Sequence, residues 1–141
     1  MVESEIRILL QNIAIQTRKK YAQQLRELGL HIGQELALFH LWEQDGIPQS
    51  QLRNKMGVEA STISNMLRRL EQDHIVYRKQ DESDQRISNV YLTDKGQQLQ
   101  GPVEEIWKEH ELSMFRGIPS EELMLMRRIL KQMEENLAEE G

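Results

Sequence analysis

The chain has 141 residues, 38% of them hydrophobic and 29% charged, with a formal net charge of -5 and no cysteine. That length suits one domain, and the balance is that of a globular chain rather than a disordered one. The absence of cysteine excludes disulfides, thiolate nucleophiles and thiol redox switching, and no apolar run approaches the roughly 18 residues of a transmembrane helix, so a cytoplasmic protein without a membrane partner is expected.

From the N-terminus, Ile6, Leu9, Leu10, Ile13, Thr17, Tyr21, Leu25 and Leu28 recur at three- and four-residue steps and predict a long helix ending at Gly29. A second helix is expected along a stripe of Leu36, Phe39 and Trp42, stopped by Asp45-Gly46. Next come the short helix QSQLRNKM, a turn at Gly57 and the longer helix EASTISNMLRRLEQD, the pattern of a helix-turn-helix. Leu52, Met56 and Val58 should face Ile63, Leu67 and Leu70 across that turn. Ser61, Thr62, Ser64, Asn65, Arg68 and Arg69 are left outside the apolar stripe.

The period then falls from 3.6 to 2. IVYRKQ and ISNVYL read as two strands of a hairpin joined by DESDQR, which makes the hairpin a wing. Thr93 offers an N-cap for a helix striped by Leu99, Val103, Ile106, His110 and Met114 as far as Gly117. Ser120 should cap a last helix along Leu123, Met126, Leu130, Met133 and Leu137. The fold class is therefore mainly α with a small β-hairpin, an α+β winged helix-turn-helix within a single domain. N-terminal helices occupy 1–46, the winged helix-turn-helix 47–96 and C-terminal helices 97–141.

Charge follows the same division. Residues 1–46 carry five Lys/Arg and six acids, 47–96 carry eight and seven, and 97–141 carry five and ten. Only the middle has a net positive sum, which is where phosphate neutralisation would be needed. A recognition helix fits the major groove, and short polar side chains near its start reach base edges. Asn65 can pair with adenine, whereas Ser61, Thr62 and Ser64 discriminate poorly and often bond phosphates. Arg68 and Arg78 are candidate phosphate contacts. Arg86 lies beside acids at the hairpin tip, and two readings of it stand level. Either Asp84 accepts from Arg86 or its backbone and aims the guanidinium into a minor groove, or the tip is a solvated charge cluster.

The segment QSQLRNKMGVEASTISNMLRRLEQDHIVYRKQDESDQRISNVYLTDKG resembles the MarR (multiple antibiotic resistance regulator) family of winged helix-turn-helix transcription regulators. The most specific residues are Asp81, Asp84 and Arg86, followed by Leu92-Thr93-Asp94-Lys95-Gly96. The resemblance implies a homodimer built from the first and last helices, a recognition helix in the major groove, and Arg86 in the minor groove. It also implies a transcription regulator of pseudo-palindromic double-stranded DNA, most often a repressor relieved by a small anionic or phenolic effector. Two positions depart from the family pattern. His74 stands where a glycine usually takes positive φ, and Ser83 stands where a basic residue is more common, leaving the wing one phosphate partner short.

Other functions carry less. The histidines His31, His40, His74 and His110 never fall three or four apart on one helix, so no metal site is expected and a zinc-responsive regulator is only an alternative. A winged helix acting as a protein-protein adaptor is the other, separable by a salt-dependent shift of duplex DNA. No nucleotide-binding glycine loop, HExxH or GxSxG occurs, so neither an enzyme nor a cofactor is expected. Met114, Met124, Met126 and Met133, like Trp42 and Trp107, read as packing residues before cleft walls.

Overall fold

The computed structural model describes residues 1–140 and contains two compact units, Met1–Trp107 and Lys108–Gly141. In the first, α1 (Val2–Glu27) leads through a turn with Gly29 at φ 78° into α2 (Gln34–Glu43). The two-residue strand β1 (Ile47–Pro48) follows, then α3 (Gln49–Met56) and α4 (Ala60–Gln72). Next are β2 (Val76–Gln80), β3 (Ser88–Leu92), the single turn α5 (Asp94–Gln98) and α6 (Gln100–Met114), which runs into the second unit. The second unit is completed by α7 (Ser120–Glu140). Among the described residues no helix is long and apolar enough to cross a membrane.

The core of the first unit joins Leu25 of α1, Ala37, Leu38 and Leu41 of α2, and Leu52 of α3. Ile63, Leu67 and Leu70 of α4, Ile47, Val76, Val90 and Leu92 of the sheet, Val103 of α6, and the connecting residues Leu30, Ile75 and Leu99 belong to the same cluster. Met56 and Val58 are half-buried against it, as their spacing predicts. Burying the Ile63, Leu67 and Leu70 stripe fixes the rotation of α4 about its axis. Each such side chain gains about 1.5–3 kcal/mol by leaving water, so a rotation that exposed them to bury Ser61 or Asn65 is strongly disfavoured.

The structure corrects four local expectations. The buried face of α2 is Ala37, Leu38 and Leu41, while Leu36 and Phe39 are exposed. Apolar residues ring this helix, so periodicity alone left its facing ambiguous. The hairpin gains a third strand, because β1 pairs antiparallel with β3 in the order β1-β3-β2, with Ile47 opposite Val90 and Pro48 opposite Asn89. Two residues are too few to show a period, and Pro48 is tolerated because its strand is an edge. The helix expected from Thr93 to Gly117 is broken at Leu99 into α5 and α6. Pro102 lacks the N–H that would bond back to Gln98, and it fits in the first turn of a new helix instead. Ser120 is the first residue of α7 rather than the one before it, and Leu123 N donates to the Pro119 carbonyl at 3.0 Å.

His74 adopts φ 59°, the one non-glycine positive φ among the described residues. The turn after α4 thus keeps its left-handed residue despite the side chain. His74 N donates to Glu71 O at 3.0 Å and Ile75 N to Leu70 O at 2.9 Å, closing the helix end.

Candidate nucleic-acid interface

Gly57, in the left-handed conformation at φ 65°, ends α3 and lets the chain turn into α4. Ser61, Thr62, Ser64, Asn65, Arg68 and Arg69 all lie on the exposed face of α4. Two of these are already engaged with each other, since the Arg68 guanidinium donates to Asn65 Oδ1. Gln49 at the start of α3 lies within 3.5 Å of the Ser64 hydroxyl.

The wing is set by β2 and β3, with Tyr77 opposite Tyr91 and Lys79 opposite Asn89. The Tyr77 and Tyr91 rings stack at 5.3 Å between centroids. The Arg78 guanidinium leaves β2 to pair with Glu71 of α4 and donates to Gln49 Oε1 of α3 at 3.3 Å. Its charge is therefore partly neutralised before any ligand arrives.

At the tip, Asp84 bonds both the backbone and the side chain of Arg86, the contact that the minor-groove reading requires. Its Oδ1 accepts from Arg86 N and Nε, both at 3.0 Å, and its Oδ2 accepts from the terminal guanidinium nitrogen at 3.1 Å. The Arg86 side chain is 91% exposed, so the carboxylate holds the base of the guanidinium while the rest faces outward. These bonds lower the Asp84 pKa and raise that of Arg86. Asp81 is drawn down to about 2, first by the Ser83 hydroxyl and then by the Asn89 amide and the loop N–H groups. Both acids stay ionised across the neutral range, which keeps the loop bonds charge-assisted.

The wing is anchored by the Leu92–Gly96 segment. Thr93 caps α5, its hydroxyl accepting from Gly96 N at 3.1 Å and lying 2.6 Å from His74 O. Trp42 Nε1 donates to Gly96 O at 3.0 Å, and Lys95 Nζ to Asp73 O at 2.9 Å. Asp45 Oδ1 accepts from Leu92 N at 2.8 Å. Sequence reasoning missed Gln49, Glu71, Asn89 and Trp42 in these roles. Each bonds to a residue at least seven positions away, and such pairings leave no local period to read.

A cleft of about 550 Å³ adjoins the recognition face, lined by Asn65, Arg68 and Arg69 of that face together with His31, Ile32, Gln34, Met66 and Gln72. Gln34 Oε1 accepts from His31 N at 2.9 Å, which fixes the amide's orientation and leaves its buried Nε2 without a partner. Beside it, both Glu35 oxygens accept from Gly33 N at 2.9 Å, and burial raises the Glu35 pKa. Among the described residues no three His, Asp or Glu side chains are grouped to hold a metal ion.

A short helix, a glycine turn, a recognition helix and a two-stranded wing on a three-stranded sheet define a winged helix-turn-helix protein. Residues 30–88 match the sequence model of the MarR family, and the chain belongs to that family. It is 31% identical over 86 residues to the HTH-type transcriptional regulator TtmR of Methylorubrum extorquens (strain PA1), a match covering 61% of this chain and 44% of that protein. It is 30% identical over 95 residues to the organic hydroperoxide resistance transcriptional regulator of Bacillus subtilis (strain 168), covering 67% and 65%. The chain thus spans roughly half to two thirds of the length of these curated relatives. A crystal structure of the S. aureus MepR-DNA complex is similar over 92% of this chain and 96% of that one, with a TM-score of 0.86 and 28% identity.

Proposed function

We propose that this protein is a homodimeric transcription regulator that binds a pseudo-palindromic duplex and represses genes under its control. The observation that carries this reading is the pairing of an exposed polar face on α4 with Arg86, held outward by Asp84 at the wing tip. Ser61, Thr62, Ser64 and Asn65 enter the major groove, with Arg68 and Arg69 at the phosphates, and Arg86 enters the minor groove. Arg78 contacts phosphate only to the extent that Glu71 releases it. The DNA-bound similarity to MepR supports the same reading.

Dimerisation answers two facts. A single helix-turn-helix reads too few base pairs for genomic specificity. In addition, α1 leaves Ile6, Leu9 and Ile13 exposed, and α7 leaves Leu125, Ile129 and Leu137 exposed. In the second unit, Phe115, Leu123, Met126 and Leu130 line an apolar groove of about 410 Å³ suited to a helix of a second copy. A monomer in sedimentation at micromolar concentration overturns the dimer.

The deciding experiment is selection of bound DNA from a random pool with the purified chain, followed by a salt titration of the recovered duplex. Enrichment of an inverted repeat with half-sites about one helical turn apart is expected. Recovery of no enriched sequence overturns the reading. Arg86→Ala should weaken binding by about 1–3 kcal/mol.

Release by a small aromatic anion is the second part of the reading, supported by the unpartnered Nε2 of Gln34 and by Arg69 at one cleft. Benzoate should weaken DNA binding by the natural chain and leave Gln34→Leu unaffected. Equal responses remove the cleft from this role.

A further inference from the structure

Asn89 is an unexpected residue at its position. It occupies the central strand of the sheet, opposite Pro48 on one side and Lys79 on the other, and is only 8% exposed. Asparagine is depleted in strands, and a buried amide must find partners. Its Nδ2 donates to Asp81 Oδ1 at 3.0 Å, across eight residues of chain. The other oxygen of Asp81 accepts from Ser83 N at 3.1 Å, Ser83 Oγ at 2.5 Å and Asp84 N at 3.1 Å. Asp84 in turn grips Arg86 through three bonds. The backbone closes the loop beneath them, with Asp81 N donating to Ile87 O at 2.9 Å and Ile87 N to Asp84 O at 3.0 Å.

These contacts form one chain from the sheet to the guanidinium. Asn89 is its root, because it is the member buried in the sheet, while Ser83 and Arg86 are exposed. We propose that Asn89 is a positioning residue for DNA binding, which fixes Asp81 and thereby the loop whose Asp84 presents Arg86. Ser83 belongs to the same clamp: its hydroxyl, standing where a basic side chain is more common, holds Asp81 rather than a phosphate. A wing tip with one cation gains affinity by holding that cation ready, since each side chain ordered before binding is one fewer to immobilise during it. The inference rests on Arg86 contacting DNA, but its structural half is measurable without DNA.

The test uses the full chain with Asn89→Ala, Ser83→Ala, Arg86→Ala and the Asn89→Ala/Arg86→Ala double variant. In free protein, carbon-detected NMR titration of Asp81 and amide exchange at Ser83 and Asp84 are followed. Asn89→Ala should raise the Asp81 pKa and speed exchange at both amides; unchanged values overturn the clamp whether or not the chain binds DNA. Against the duplex recovered by selection, Asn89→Ala should cost about three- to tenfold in affinity, part of what losing an arginine contact costs. In the Arg86→Ala background the same change should cost less than about twofold, because an interaction acting through Arg86 disappears with it. Equal losses in both backgrounds overturn positioning. Ser83→Ala removes only an exposed hydroxyl and is expected to fold, so it stands in if Asn89→Ala does not. It should shift Asp81 the same way and weaken binding only when Arg86 is present; no shift, or a loss independent of Arg86, overturns the proposal. Failure of the natural chain to bind any duplex instead defeats the DNA-binding reading, leaving the NMR arm to judge the loop clamp.

Discussion

Gly96→Ala sets two effects of opposite sign against each other. Gly96 lies in α5, and alanine is a better helix former than glycine by about 1 kcal/mol, so propensity alone predicts a gain. Yet a Cβ at this position would lie 2.3 Å from the Ile75 carbonyl oxygen, 3.0 Å from Leu92 Cδ2 and 3.3 Å from the Ile75 carbonyl carbon. Carbon and oxygen approach comfortably to about 3.3 Å, so α5 must retreat by about 1 Å from a backbone atom that cannot swing aside. The retreat strains Thr93 N–H to Ile75 O at 3.0 Å, the Thr93 hydroxyl at 2.6 Å from His74 O, and the Trp42 bond to Gly96 O at 3.0 Å. Weakening these by a total of about 2 kcal/mol, with about 2 kcal/mol of overpacking, outweighs the helical gain and leaves a net loss of about 3 kcal/mol. For a chain of this size that lowers Tm by about 10 °C. Calorimetry of both proteins at one chain concentration measures it, since the proposed dimerisation would make Tm concentration-dependent. An unchanged or higher Tm refutes the close-approach argument.

Three further changes have definite signs. His74→Gly should stabilise the chain by roughly 0.5–1 kcal/mol, because relief of a left-handed φ exceeds the extra chain entropy of glycine; denaturant titration with a lowered midpoint contradicts this. Glu71→Ala frees the Arg78 guanidinium and removes a negative charge from the recognition helix, so DNA affinity should rise and its salt dependence steepen. An unaltered salt slope places Arg78 away from the phosphates. The two perturbed carboxyls act oppositely with pH. Asp81, drawn down to about 2, contributes stability that is present above the ordinary carboxylate range and lost as pH falls from about 4 towards 2. Asp81→Asn should flatten the Tm profile there. Glu35 is raised by burial, so its contribution is greatest in acid and declines as pH rises through its folded value. Glu35→Gln should therefore compare better with the natural chain at pH 8 than at pH 4, and the reverse order excludes a raised Glu35.

The sequence by itself determined the elements that announce themselves locally. The Ile63, Leu67 and Leu70 stripe oriented α4, and with it the exposure of Ser61, Thr62, Ser64, Asn65, Arg68 and Arg69. The change of period located the wing, and Asp84 lies close enough in sequence to Arg86 for their bond to be foreseen. Tertiary structure decided what depends on distant partners. The β1 strand exists only because β3 is there to pair with it, and the facing of α2 is chosen by the core, not by a helix that is apolar all round. Arg78 appeared in sequence as a free cation, yet Glu71 and Gln49 hold it. Asn89 is, in sequence, one unremarked residue of the ISNVYL strand, yet the hairpin brings its amide to Asp81, eight positions back. The physical reason is common to these cases: a period of two or 3.6 reports which way a side chain points, whereas a hydrogen bond depends on what the folded chain places within 3 Å of it.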